Sequence, residues 1–96
     1  MMILITYDVN TQSAAGRKRL NKVAKACKGY GQRVQDSVFE CVIDYTQIAL
    51  LKNKLEKLID PNLDSIRYYY LGDNWPKRVE HIGVKKGINL EETIIV

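Results

Sequence analysis

An α+β fold, with two helices packed on one face of an antiparallel sheet, is predicted by three observations. The chain opens on an apolar run of strand length, Met1 to Ile5; two later stretches carry apolar residues at helical spacing; and a tyrosine-rich stretch alternates in the manner of a strand. The implied order is β, α, a ββ hairpin, α, β and further extended pieces, that of a ferredoxin-like βαββαβ sandwich with an extra C-terminal strand. The 96 residues are expected to form one domain over 1–96, with 85–96 a tail that pairs with a partner subunit. At this length roughly a third of the unfolded chain's surface stays wet after folding, which favours a twin subunit.

The first strand is expected to be buried on both faces over Met1 to Ile5, with Tyr7 and Val9 continuing the β-forming pattern. Asp8 interrupts it where the strand runs out into the turn cluster Asn10, Thr11, Gln12 and Ser13, at the C-terminal edge of the sheet, where open α/β proteins bind ligands. Two readings of Asp8 stand side by side: an acceptor for the amides of the following turn, or a ligand for a cation.

Ser13 is a good N-cap, and a helix follows over Ala14 to Lys28, stopped by Gly29 and Gly31. Its buried stripe is Leu20, Val23, Ala24 and Cys27. At 100° per residue Arg17 and Arg19 flank that stripe, while Lys18, Lys22 and Lys25 point away from it. From Gln32 to Ile43 the chain reads as extended, with Asp36 and Ser37 as the place for a tight turn. Phe39 is assigned to the core in preference to stacking on a base.

Asp44, with Gln47 three residues on, has the form of a capping box, and Ile48, Leu51, Leu55 and Leu58 make the second helix's apolar stripe before Asp60-Pro61-Asn62 ends it. Ser65 to Gly72 is a strand with Ile66, Tyr68 and Tyr70 on one face and Arg67, Tyr69 and Leu71 on the other. Three consecutive tyrosines cannot all face one core, so at least one belongs to a surface or an interface. After Trp75-Pro76, Arg78 to Val84 reads as another strand; Lys85-Lys86-Gly87 is a break, and Thr93 to Val96 a β-prone tail suited to a neighbour's sheet. His81 is the single histidine, which excludes a metal site built from histidines within one chain.

The apolar share of 46% against 27% charged residues excludes a disordered chain. No stretch approaches the roughly 20 apolar residues that span a bilayer, and the expected location is the cytoplasm. Cys27 and Cys41 are not in a C-x-x-C pair and are expected as buried free thiols. The charge is uneven. Between Asp8 and Asp36 there is no acid, while Arg17, Lys18, Arg19, Lys22, Lys25, Lys28 and Arg33 stand there; against a total of +4, those seven charges leave the rest of the chain net negative by three. Such a basic segment is an electrostatic footprint for nucleic acid, set against the alternative of a solubilising helix face. The arginines can hold a phosphate bidentately, and the outward lysines add salt-sensitive attraction.

Four pieces fall into one pattern: Tyr7-Asp8-Val9 ending the first strand, Arg17-x-Arg19-Leu20 opening the first helix, Arg33-Val34-Gln35-x-Ser37-Val38-Phe39-Glu40, and Tyr68-x-Tyr70-Leu71-Gly72. Together, over residues 1 to 84, they resemble the family of CRISPR-associated protein two, the small ferredoxin-like subunit of the spacer-acquisition machinery. The Glu40-Cys41 and Trp75-x-x-Arg78 surroundings resemble its type I-C branch. The aromatic pattern of an RNA-recognition motif, which shares the topology, is absent.

The resemblance implies a homodimer whose first strands approach across a two-fold axis, so that Asp8 lies near its twin. It implies a divalent-metal-dependent endonuclease, with Mg²⁺ or Mn²⁺, acting on single-stranded RNA or duplex DNA. It also implies a complex with the adaptation integrase subunit, in which the dimer bridges the spacer duplex. By motif position the implied catalytic set is Tyr7, Asp8, Arg17, Arg19, Arg33, Ser37 and Phe39, with Asp8 as metal ligand. The alternative is a non-catalytic DNA-binding scaffold.

Overall fold

The computed structural model describes residues 1–83, arranged as β1 (Met2–Asp8), α1 (Ala14–Lys28), β2 (Gln32–Gln35), β3 (Val38–Val42), α2 (Tyr45–Leu58) and β4 (Ser65–Gly72), with a 3-10 turn at Trp75–Lys77. The strands form one antiparallel sheet in the order β2-β3-β1-β4. This is the ferredoxin-like α+β arrangement that the residue pattern predicts, and β1 is flanked on both sides. Among the described residues no helix is long and apolar enough to cross a membrane.

The helices cover one face only. Ile3, Ile5 and Tyr7 of β1 and Phe39 and Cys41 of β3 meet Val23, Ala26 and Cys27 of α1 and Ile48, Leu51 and Leu55 of α2 in a single apolar cluster. Along β1, Leu4 and Thr6 are only half-buried and Asp8 is exposed. The expectation of a strand buried on both faces is therefore corrected: among the described residues the other face has no helix layer, and the apolar run reflects β1's central place in the sheet. Register puts Leu4, Thr6 and Asp8 on this open face beside Val38, Glu40 and Val42 of β3 and Ser65, Arg67 and Tyr69 of β4.

Local chemistry sets the element ends. The Ser13 hydroxyl accepts from the Gly16 amide at 3.0 Å. Asp44 and Gln47 form the reciprocal capping box, with bonds of 2.8 and 3.0 Å. Asp36 and Ser37 turn the β2–β3 hairpin, whose register slips between Arg33 and Gln35. The α1 stripe differs from expectation: Val23 and Cys27 are buried, but Leu20 and Ala24 only partly, and the stripe runs through Gly16 and Ala26. A Cβ at Gly16 would collide with the Asn10 carbonyl, so the β1–α1 loop lies directly against the helix and fixes its rotation.

Tyr69 and Tyr70 are exposed, where the tyrosine run requires at least one to be, while Tyr68 is half-buried with its hydroxyl unpartnered among the described residues. Cys27 and Cys41 are buried free thiols. The strand expected over Arg78 to Val84 is corrected for 78–83: this stretch leaves the 3-10 turn without strand structure, because its alternating pattern meets no sheet edge among the described residues. Val84, the Lys85-Lys86-Gly87 break and the Thr93 to Val96 tail lie outside the described residues.

Candidate active site at the end of the first strand

β1 divides the residues expected to act together between the two faces of the sheet. Tyr7 points to the helix side, where its ring stacks on Phe39 with centroids 6.1 Å apart. Its hydroxyl donates to the Asp36 carbonyl at 3.3 Å and its amide to the Ser37 carbonyl at 3.1 Å. The Arg33 guanidinium lies over the Phe39 ring, 5.3 Å from its centroid, a contact worth about 0.5–1 kcal/mol at an exposed site. Burial pushes the Tyr7 phenol above its ordinary value, against the opposing pull of Arg33, so Tyr7 keeps its proton near neutrality. Phe39 is fully buried. Its face is closed to a base, and its part is to support Arg33 and Tyr7.

Asp8 projects from the open face. Its carboxylate is exposed, and among the described residues no side chain pairs with it. The Asn10 amide, two residues on, does not turn back to Asp8; it donates to Asp64 Oδ1 at 2.9 Å. The reading of Asp8 as acceptor for its own turn is therefore set aside. The turn is closed by Asn10 itself, whose Oδ1 accepts from the Gln12 amide at 3.0 Å.

Asp64 is the residue the sequence did not signal. It is the one buried charged side chain among the described residues, and it accepts four bonds: Asn10 N–H, Asp60 N–H at 2.9 Å, Arg19 Nε at 2.8 Å and Arg19 Nη2 at 3.3 Å. The Arg19 guanidinium, and after it the Asp60 and Asn10 amides, hold the carboxyl at about 2 against the opposing effect of burial. Arg19 is thus engaged in an ion pair and turned from the role of open phosphate clamp. Its neighbour Arg17 remains at the surface, with Nη1 donating to the Thr11 carbonyl at 3.2 Å.

Lys18, Lys22 and Lys25 are exposed along α1, as the helical wheel predicts; Lys28 is exposed at the end of the helix and Arg33 beside the hairpin turn. Ser37 sits in that turn, half-buried across from Tyr7. Arg67, also unsignalled, shares the open face with Asp8 and donates to the Tyr69 hydroxyl at 3.1 Å. Glu40, on the same face, has its carboxyl pushed above the ordinary range by burial, with His81 opposing. Among the described residues no three His, Cys, Asp or Glu side chains cluster as a metal cage. At this end of the sheet one chain therefore offers a cation separate carboxylates and no cluster: Asp8 at the end of β1 and Asp36, exposed in the neighbouring hairpin turn.

Residues 1–79 match the family model described as CRISPR associated protein Cas2. The chain is 59% identical over 95 residues to the CRISPR-associated endonuclease Cas2 of Halalkalibacterium halodurans, covering 99% of each. It is 55% identical over 96 residues to the CRISPR-associated endoribonuclease Cas2 of Chlorobaculum tepidum, covering all of both. Among solved structures, Streptococcus pyogenes Cas2 at pH 6.5 superposes with a TM-score of 0.76 at 57% identity, covering 86% of this chain and all of that one. A hypothetical protein of Thermus thermophilus gives a TM-score of 0.72 at 32% identity, covering 88% of this chain and 93% of that one.

Proposed function

We infer function from a fixed premise: the chain belongs to the Cas2 family of CRISPR-associated proteins. From it we read a CRISPR nuclease that hydrolyses phosphodiester bonds, in keeping with relatives named endonuclease and endoribonuclease. The observation that most supports this is Asp8, an exposed carboxylate at the end of β1, on a face that carries no helix and where it has no side-chain partner among the described residues. That face carries Leu4 and Val38 half-buried and Val42 and Tyr69 exposed by 45% and 41%, a surface suited to a second copy of the chain. A homodimer packed there brings two Asp8 carboxylates to one interface.

Mg²⁺ or Mn²⁺ is the proposed cofactor, and the donor set fits it: Mg²⁺ takes only one or two protein carboxylates and completes its shell with water and phosphate oxygens. Both thiols are buried and the one described histidine is turned to Gly83, so a softer ion has no comparable set. When bound, such a cation neutralises phosphate charge and acidifies a water. Two facing carboxylates without one would repel. Arg17 and Arg33, both at the surface, are the residues suited to hold phosphate oxygens, while Tyr7 and Ser37 fix the hairpin turn beside them. Lys18, Lys22, Lys25 and Lys28 add sequence-independent attraction.

The substrate is single-stranded RNA, duplex DNA or both, since phosphate clamps read neither sugar nor base. The proposed setting is spacer acquisition, in complex with the adaptation integrase subunit. A second reading, a DNA-binding scaffold without cleavage, is favoured by the lysine face of α1 and by the engagement of Arg19 with Asp64.

Labelled RNA and duplex DNA, each incubated with Mg²⁺, Mn²⁺ and chelator beside an Asp8→Asn control, decide between them. The nuclease reading requires metal-dependent cleavage lost in the variant; wild-type protein that never cuts leaves the scaffold. Charge reversal at Lys18, Lys22 and Lys25 should weaken duplex binding and flatten its salt dependence by about one unit of slope per lysine.

A further inference from the structure

The path of the chain beyond Asp8 is held from three sides. The Asn10 amide is bound by Asp64, its carbonyl rests where a Cβ of residue 16 would stand, and its side chain caps Gln12. Across the sheet, Asp8 pairs in register with Ser65, the residue directly after Asp64. Asp64 thus ties the segment leaving Asp8 to the segment entering its strand partner, and Arg19 fastens both to the first turns of α1. Asp8 itself has no partner to orient it among the described residues, so its direction comes from its backbone.

We propose that Asp64 and Arg19 are positioning residues for Asp8, their ion pair fixing the direction in which the Asp8 carboxylate meets metal and phosphate. This rests on the reading of Asp8 as the metal-binding acid. Arg19 acts through Asp64, and its removal is felt at the reacting phosphate as a displaced loop rather than a lost contact. The leverage is large because misplacing a reacting group by about 1 Å costs on the order of 100-fold in rate. Neither residue touches substrate in this arrangement.

A double-mutant cycle tests it: kcat and KM for cleavage of labelled RNA or duplex DNA by wild type, Asp64→Asn, Arg19→Gln and the pair, at a temperature where circular dichroism shows each folded. The expected result is a kcat loss of about 10- to 100-fold in each single variant with KM unchanged, and a double variant no worse than the worse single. Hydrogen exchange at the Asn10 amide should accelerate about tenfold or more in Asp64→Asn. Arg19→Lys keeps a cation against the carboxylate, so it stays folded if Arg19→Gln does not, and it should regain part of the lost kcat.

Folded single variants with wild-type kcat overturn the proposal. So does an Arg19→Gln variant that raises KM by the same factor with and without Asp64, which is the signature of a direct phosphate contact. Wild type that does not cleave, or Asp8→Asn that cleaves normally, removes the reading of Asp8 and the positioning role with it. Active wild type, inactive Asp8→Asn and unimpaired Asp64→Asn remove the positioning role alone.

Discussion

Two carboxylates stand at the same end of the sheet on neighbouring strands, and they have opposite surroundings. Asp64, just before β4, is buried and accepts from two backbone amides and a guanidinium. Asp8, ending β1, is exposed and has no side-chain partner among the described residues. A carboxylate whose lone pairs are filled by its own fold has nothing left for a ligand, and one left open contributes little to the fold. The pair sets a carboxylate that holds the chain beside one that is left open at the surface.

The comparison breaks or sharpens in a crossed experiment. Asp8→Asn should lower metal-dependent cleavage by about 100-fold or more while thermal unfolding moves by less than about 0.5 kcal/mol. Asp64→Ala should do the reverse to stability, removing about 3 kcal/mol in chemical denaturation, since it orphans the Asn10 and Asp60 amides and leaves Arg19 without its anion. If both variants lose stability alike, the distinction between the two acids fails.

Acid sharpens the same contrast. The Asp64 carboxyl is held at about 2, below its ordinary 3.8, so its contribution is complete above that ordinary value and is lost as pH falls toward 2. A melting series across that window should show wild type losing stability faster than Asp64→Asn. Equal slopes would mean that Asp64 titrates alike in the folded and unfolded chain and that its ion pair does not depress its pKa.

Smaller effects probe the loop between the two acids. Gly16→Ala should cost about 2 kcal/mol, because the new methyl meets the Asn10 backbone and not a side chain that can move aside. Tyr68→Phe should be the mildest change, within about 1 kcal/mol and toward greater stability, since the hydroxyl it deletes is buried without a partner among the described residues.

What the sequence disclosed follows from how far apart interacting residues lie. The Ser13 and Asp44 caps, the Asp36-Ser37 turn and the periodicity of α2 are chemistry among near neighbours, and each was legible. Phe39 was legible as core. The Asp64 clasp was not, because its bonds to Arg19 and Asn10 span 45 and 54 positions, and no local pattern reveals that a guanidinium on a helix edge is already engaged. For the same reason Arg19 looked like a second phosphate clamp. Gly16 offered a signal: a glycine inside an otherwise well-formed helix marks a close approach, and it would have pointed to the β1–α1 loop. The open face of β1 was hidden by its apolar run, since flanking strands and a covering helix layer leave similar composition.

The two cysteines are a ready-made clock for unfolding. Burial pushes the Cys27 thiol up to about 11 and the Cys41 thiol up to about 12, so at neutral pH the folded chain presents neither as a thiolate. A maleimide or disulfide reagent added to native protein should therefore be consumed only as fast as molecules open, and the kinetics of its uptake would time that opening without an introduced label.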